Sequence, residues 1–244
     1  MTAITKSSSY LFFNPKMLNQ CYFFFAARIF LRKWAKKPNF VPRKAVCRRK
    51  MATKHYQNMG ELTLNRYSIT EYLKQDDASA LRCEFINGEI VAMAGSSLKH
   101  NEISGNIFAA LRAALRAKVK PCKTYMSDAR LQITQRNSYY YPDVMIACEF
   151  ADWADNRNIQ SPSLIVEVLS ESTQSIDLTT KLSSYLQIPS LNYYLIVAQT
   201  ETLVLCYERS AQGWLLHVYD ELSEIVSLRL LEISLSLADI YENL

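Results

Sequence analysis

The composition is that of an ordinary folded protein with an uneven distribution of charge. The 244 residues are 49% hydrophobic and 21% charged, which excludes a disordered chain and allows one large domain or two small ones. The net charge is +5, but residues 1–50 hold 12 Lys or Arg and no Asp or Glu. Residues 51–244 therefore carry a net charge of −7, which weakens any argument from overall charge to nucleic-acid binding.

Residues 1–50 differ in composition from everything that follows. Their apolar run at 21–30 is too short to span a bilayer. A basic, acid-free composition is typical of a transit-type presequence, and also of an arm that binds membrane surfaces or nucleic acid. A third interpretation, which we favour, is that the protein proper begins near Met51. We therefore divide the chain into a basic extension, 1–57, disordered or upstream of the true start, and one domain, 58–244.

The six cysteines are far apart in the sequence and form neither a CxxC motif nor a Cys/His cluster. A zinc site is therefore not predicted. We expect reduced, partly buried thiols, as in a cytoplasmic protein.

The first predicted elements of the domain are a helix, a hairpin and a second, longer helix. The tetrapeptide SITE at 68–71 is a capping-box pattern, which predicts that a helix begins there. An Asn-Gly turn joins two strand-like runs within 82–93, which indicates a hairpin. Apolar residues recur every three or four positions over 97–119, and this spacing predicts an amphipathic helix capped by Ser96 or Ser97.

The rest of the domain is predicted to consist of strands around one more helix. The strand-like runs 129–134 and 139–149 form a predicted hairpin. Further along, the patterns predict a strand at 163–170, a helix at 176–188, and strands at 192–199, 203–209, 214–221 and 225–237. From 97 to 199 the order is helix, three-stranded meander, crossover helix and strand. This order predicts an α+β fold, an α/β-type sandwich around a central mixed sheet, with an extra N-terminal helix and hairpin and extra C-terminal strands.

Two of the predicted strands each carry one acidic residue in an otherwise apolar run. Asp143 lies in YYYPDVMIACEF, and Glu167 lies in SLIVEVLS. Burying a carboxylate without a partner is unfavourable, so the pair predicts a cation between neighbouring strands. Carboxylate oxygens are hard ligands, which favours Mg²⁺. The alternative is that each acid is paired with Lys or Arg at the edge of the sheet.

One basic residue is a candidate for the same site. Lys181 lies on the helix that follows the Glu167 strand and could act near an attacking water or a phosphate. The alternative is a surface pair with Asp177, four residues earlier on that helix. His100 lies in the first turn of the predicted helix 97–119, where the positive end of the helix dipole favours a neutral imidazole.

The motifs around these residues resemble those of a bacterial restriction-endonuclease-like family, formerly a domain of unknown function, within the PD-(D/E)XK nuclease superfamily. The resemblance covers roughly residues 60–244. It is carried by SITEYL (68–73), RCEFINGEIVAMAGSS (82–97), HNEISGNI (100–107), YYYPDVMIACE (139–149), LIVEVLSESTQSID (164–177), KLSSYLQIPSLNYYLIV (181–197) and ADIYENL (238–244).

This resemblance implies an αβββαβ core and roles for particular residues. Asp143 and Glu167 match the metal-binding acids, and the main-chain carbonyl of Val168 would be a third ligand. Leu169 stands where the superfamily motif has its lysine, and Lys181 matches a lysine that the following helix supplies in this family. Three more residues match family positions that line the site: Glu84, His100 and Asp128, the last of which is equally typical of a turn.

The implied function is that of a Mg²⁺-dependent endonuclease that hydrolyses DNA, with Mn²⁺ as an alternative ion. By analogy we expect a cytoplasmic homodimer that does not associate with membranes. One rival is a catalytically inactive nucleic-acid-binding or toxin-like interaction protein with the same fold. The other is a protein in which all these acids form ordinary salt bridges.

Overall fold

The computed structural model describes residues 11–13, 66–79, 81–93, 95–118, 121–154, 157–170 and 174–244. Of the predicted extension, 1–57, it describes one strand, β1 (Leu11–Phe13), and the rest of the extension lies outside the described residues. Within the described part of the chain, no helix is long and apolar enough to cross a membrane.

A mixed sheet of seven strands forms the centre of the domain, as predicted. In spatial order its strands are β1, β12 (Gly213–Tyr219), β11 (Val204–Ser210), β10 (Tyr193–Ala198), β9 (Pro162–Leu169), β7 (Val144–Ala147) and β4 (Lys123–Met126). β9 and β10 are parallel, and every other neighbouring pair is antiparallel. β7, β9 and β10 are buried along their whole length, which explains their nearly continuous apolar sequences.

Helices cover both faces of this sheet. On one face, α2 (Leu98–Ala117) packs through Ile103, Ile107 and Leu111. The same face carries the C-terminal elements β13 (Ile225–Leu228), β14 (Ile233–Ser236) and α5 (Leu237–Ile240). On the other face lies α4, which consists of Gln174–Ile176, a π-helical turn at Asp177–Lys181, and Leu182–Tyr185. α4 is the crossover between β9 and β10, the connection that a parallel pair requires.

A second sheet of five strands packs against the same core as α4. In spatial order its strands are β3 (Glu89–Ala92), β2 (Cys83–Ile86), β6 (Ser138–Tyr140), β5 (Arg130–Ile133) and β8 (Asn158–Ile159). α1 (Ile69–Ala78) lies on it through Tyr72, whose ring is 5.1 Å from that of Phe85. The predicted capping box and the 82–93 hairpin are both confirmed. A short helix, α3 (Phe150–Ala154), follows β7.

Two predicted strands are each divided in two. The run 139–149 breaks around Pro142: β6, before the break, pairs with β2 and β5, whereas β7, after it, pairs with β4 and β9. Proline has no N–H to offer a neighbouring strand, which is the physical reason for the break. The run 225–237 folds back on itself as β13 and β14, with Glu232 in the left-handed region (φ 56°) near the turn.

The predicted meander exists, but its first strand is not the predicted one. β4 pairs with β7 and β7 pairs with β9, so the αβββαβ core consists of α2, β4, β7, β9, α4 and β10. The run 129–134, predicted to fill the first place, is β5 of the second sheet. β4 is an edge strand of half-exposed residues and so lacks the apolar pattern that would have indicated it.

Cys122 and Cys148 form a disulfide, so the prediction that the cysteines are reduced is wrong for this pair. Cys122 precedes β4 and Cys148 follows β7, and the adjoining residues Lys123 and Ala147 are paired in the sheet. The two cysteines are therefore cross-strand neighbours, although 26 positions separate them in the sequence.

Candidate active site

Asp143 and Glu167 meet where the ladder between β7 and β9 ends. Val144 pairs with Val166, so the next opposing pair is Asp143 and Glu167, and both side chains are buried. The Asp143 carboxylate takes the place of a main-chain carbonyl of a neighbouring strand. Its Oδ2 accepts a 2.7 Å hydrogen bond from the Val168 N–H. In an antiparallel ladder the N–H and C=O of one residue point to the same side, so the Val168 carbonyl is also directed toward Asp143.

Lys181 lies among three carboxylates. Its Nζ is 2.9 Å from Glu84 Oε1, 3.0 Å from Glu167 Oε1 and 3.3 Å from Asp177 Oδ1. The lysine side chain is 6% exposed and that of Asp177 is 1% exposed, so the proposed surface pair between them is in fact buried. Both residues belong to the π-helical turn of α4, a distortion that is frequent at functional sites.

The pKa values of this cluster follow from its burial and its excess of negative charge. Burial raises the pKa of Glu167 well above its usual range, against the opposing effect of Lys181, and the charges of Asp177, Asp143 and Glu84 raise it further. Burial also raises the pKa of Glu84, again against Lys181. Burial alone would lower the pKa of Lys181, but its three carboxylate neighbours outweigh burial and raise that pKa well above normal.

His100 connects helix α2 to the acid pair. Its Nε2 is 3.2 Å from Asp143 Oδ2. Burial lowers the pKa of His100, but the hydrogen bond to Asp143, the charge of Asp143 and a hydrogen bond with the Val168 main chain together raise it above its ordinary value. We predicted a neutral imidazole from the helix dipole alone. The nearby Asp143 carboxylate instead raises the pKa of His100, so the dipole does not decide its charge.

Tyr185 is a site residue that the sequence analysis missed. Its hydroxyl donates a 2.8 Å hydrogen bond to Glu167 Oε1, the same oxygen that Lys181 contacts. Tyr185 follows Lys181 by four residues on α4, and residues at that spacing share a helix face. This spacing could have revealed it, because the face that presents Lys181 also presents Tyr185.

Asp128 is the one predicted residue that lies at the rim of the cluster. It is in the turn after β4, where the neighbouring Ser127 N–H donates to the Asp143 carbonyl at 3.1 Å. The Asp128 side chain is 85% exposed and lies 3.5 Å from Arg82 Nε. The cluster thus brings together Asp143, Glu167, Lys181, Glu84 and His100, with Asp128 at its edge.

The oxygen atoms around Asp143 fit a hard divalent cation. Among the described residues, no group of three or more His, Cys, Asp or Glu side chains converges as a metal site, and Lys181 contacts Glu84 and Glu167 directly. Two carboxylates and the Val168 carbonyl nevertheless provide an all-oxygen ligand set, to which water can be added. The hydrogen bonds described for Asp143 fall on Oδ2 and those for Glu167 on Oε1, so each carboxylate has a second oxygen available.

A comparison with models of known protein families identifies the family of this chain. The model of the Uma2 family, described as "Putative restriction endonuclease", matches residues 69–238. The chain belongs to the Uma2 family. The match runs from α1 into α5, so it includes every strand of both sheets except β1, and every residue of the cluster described above.

Relatives of this Uma2 protein occur in cyanobacteria. It is 37% identical over 152 residues to "Uncharacterized protein sll1609" of Synechocystis sp., covering 61% of this chain and 85% of that one. It is 31% identical over 180 residues to slr1290 of the same organism, covering 73% and 93%. A "putative nuclease belonging to DUF820" from Anabaena variabilis superimposes with a TM-score of 0.61 at 16% identity, over 72% of this chain and 97% of that one. The last comparison supports the restriction-endonuclease-like fold.

One buried ion pair of this Uma2 protein fits the salt-bridge alternative instead. Arg130 Nη1 lies 2.9 Å from Asp76 Oδ2, and both side chains are buried. The Tyr141 hydroxyl donates to the same carboxylate, while the Tyr141 N–H donates to Glu84 Oε1 at 3.3 Å. Asp76 and Arg130 therefore position the segment just before Asp143. Asp77 also lies 3.7 Å from Arg130 and is paired with Arg157, so two acids face two arginines here, unlike the excess of acids around Lys181.

Proposed function

We propose that this protein is a Mg²⁺-dependent endonuclease that hydrolyses DNA phosphodiester bonds, with Mn²⁺ as an alternative ion. The observation that carries the proposal is the imbalance of buried charge in the cluster. In the contacts described above, four buried acids, Glu84, Asp143, Glu167 and Asp177, face one lysine and one histidine. Buried charge of one sign is unfavourable without compensation, and a divalent cation would supply it.

The residues that would hold the ion are Asp143, Glu167 and, through its main-chain carbonyl, Val168. When bound there, such an ion lowers the pKa of a water ligand and stabilises the charge that develops on a phosphate oxygen. His100 holds Asp143 from the α2 side, and Tyr185 holds Glu167 from the α4 side. These two contacts fix the orientation of both carboxylates.

Lys181 would act on the attacking water or on the phosphate. A lysine has three N–H donors, and three carboxylates are within 3.3 Å of this one. A donor therefore becomes available when one carboxylate is released. Glu167 would be the carboxylate to release Lys181, because a bound cation would share its negative charge. Leu169, at the usual motif position, has no such donor, so we assign this role to Lys181.

Plasmid cleavage tests the proposal. Purified full-length protein is incubated with supercoiled plasmid and Mg²⁺, Mn²⁺ or EDTA, and nicked and linear products are measured. We expect cleavage with either ion, none in EDTA, and none from Asp143→Asn or Glu167→Gln. Asp239→Asn, an exposed acid on α5, is the matched control and should cleave like the wild type.

Cleavage that persists in both site variants would refute the assignment of residues. Binding of DNA without cleavage under any condition would favour the inactive nucleic-acid-binding alternative. By analogy with enzymes that cut both strands, we also propose a homodimer in the cytoplasm. Light scattering of the purified protein tests the first of these and localisation of a tagged chain the second.

A further inference from the structure

Arg82 projects from the edge of the candidate site. It immediately precedes β2, two residues before Glu84, so by strand alternation the two residues share a face. Its guanidinium carbon lies 5.8 Å from the centre of the Tyr141 ring. The side chain is 43% exposed. A guanidinium stacked on an aromatic ring keeps its N–H groups in a defined plane and directed outward.

Asp128, the partner of Arg82 within the protein, forms only a weak ion pair with it. Asp128 Oδ1 is 3.5 Å from Arg82 Nε, and the aspartate side chain is 85% exposed. Ion pairs of such exposure contribute little, because both charges remain solvated. The Asp128 turn also touches Asp143 through the main chain, at 3.1 Å from the Ser127 nitrogen. The Arg82–Asp128 pair therefore lies beside the proposed metal ligands. Another anion can replace Asp128 as the partner of Arg82.

Two other cations near the cluster, Lys181 and Arg130, already form ion pairs with buried acids. Lys181 is buried among three carboxylates, and Arg130 is buried against Asp76. Residues 51–244 carry a net charge of −7, so the charge of this part of the chain as a whole does not attract a polyanion to the site. A nucleic acid therefore needs a local cation next to the acids, and Arg82 has both the exposure and the position.

We propose that Arg82 binds a backbone phosphate of the nucleic acid next to the one that is cleaved, and that Asp128 occupies Arg82 when no nucleic acid is bound. This inference rests on the proposed function. A guanidinium matches a phosphate with two parallel N–H···O bonds, which is better than one 3.5 Å contact to an exposed carboxylate. Removal of Arg82 and removal of the Asp128 charge should therefore change affinity in opposite directions.

Fluorescence anisotropy of a labelled DNA duplex, with full-length protein in EDTA over a range of NaCl concentrations, tests this inference. Arg82→Gln should bind more weakly and lower the slope of log K against log [NaCl] by about one. The ratio of its Kd to that of the wild type should then grow roughly fourfold as NaCl falls from about 200 to 50 mM. Arg82→Lys should keep the slope but not the full affinity, and Asp128→Asn should bind more tightly.

Arg112→Gln is the matched control. Arg112 also stacks on an aromatic ring, 5.7 Å from the centre of Phe108, but it lies 12 residues beyond His100 on α2, about 18 Å along the helix. It should bind like the wild type. Equal effects of the two arginine variants, or an unchanged slope in Arg82→Gln, would overturn the role of Arg82 while plasmid cleavage by the wild type still supports the endonuclease. A wild type that neither binds nor cleaves DNA would overturn both.

Discussion

Lys181 Nζ lies 3.0 Å from Glu167 Oε1, in a contact that joins helix α4 to strand β9 with both side chains buried. Two more carboxylates, those of Glu84 and Asp177, form ion pairs with the same ammonium group. Lys181 therefore contributes to the stability of the domain and also has a role in the proposed chemistry. Changes at Lys181 should be visible in unfolding experiments even before any nuclease assay.

Lys181→Met should destabilise the protein strongly. The change leaves buried carboxylates without their counter-charge, and breaking a buried ion pair from one side costs about 3–5 kcal/mol. The free energy of unfolding from urea denaturation in EDTA measures this. Lys74→Met, an exposed lysine of α1, should stay within about 0.5 kcal/mol of the wild type.

Glu167→Gln added to Lys181→Met should recover part of that loss. Neutral Gln removes one of the uncompensated charges, so the two changes should not be additive. A double variant whose destabilisation equals the sum of the two single effects would show that Lys181 and Glu167 do not interact.

The imidazole of His100 should titrate above its ordinary value because of Asp143. In EDTA, NMR of the ring protons should give His100 a pKa above 6.5 in the wild type. A group whose pKa is raised on folding stabilises the fold fully below its unfolded pKa and loses that contribution as the pH rises through the folded value. In Asp143→Asn the neighbouring negative charge is removed, so the pKa of His100 should be lower than in the wild type. His100→Gln identifies the signal, and an identical pKa in both proteins would contradict the pairing.

The Asp76–Arg130 pair should affect stability without being part of the metal site. Arg130→Met leaves Asp76 buried without its cation and should lower the free energy of unfolding by about 3–5 kcal/mol. Its effect on metal affinity should be small, since neither residue supplies a proposed ligand. Calorimetry with Mn²⁺ on the folded variant checks this, and loss of metal binding from the folded protein would show that the pair does more than position Tyr141.

The disulfide should contribute measurably to stability under oxidising conditions. Closing a loop of 26 residues by a cross-link stabilises a fold by about 3 kcal/mol in the chain-entropy view. Reduction, or Cys122→Ser with Cys148→Ser, should lower the free energy of unfolding by about that amount. Mass spectrometry of non-reduced peptides identifies the bond, and an unchanged unfolding free energy would contradict its role.

Local patterns were sufficient to predict much of the fold. The capping box before α1, the Asn-Gly hairpin and the apolar face of α2 each depend on residues a few positions apart, and all three are confirmed. The parallel pairing of β9 with β10 followed from the length of the helix between them. Asp143, just before β7, and Glu167, in β9, were conspicuous because buried apolar runs rarely carry charge.

What the sequence did not reveal depends on contacts between distant residues or on weak patterns. β4 has no apolar run, since it is a half-exposed edge strand. Asp76 and Arg130 are 54 positions apart, and nothing local connects them. The Cys122–Cys148 bond required the register of β4 against β7, which the misplaced first strand of the meander concealed. Pro142, by contrast, was a local signal for the division of 139–149 between two sheets.

Direct binding of Mn²⁺ by the full-length protein, followed by electron paramagnetic resonance, tests the central claim that Asp143 and Glu167 hold a divalent cation. The wild type should bind Mn²⁺, Mg²⁺ should compete for the same site, and Asp143→Asn and Glu167→Gln should each weaken binding by at least about tenfold. Asp239→Asn, with its exposed carboxylate, should bind like the wild type. Equal Mn²⁺ affinity in the wild type and both site variants, all shown to be folded, would contradict the account.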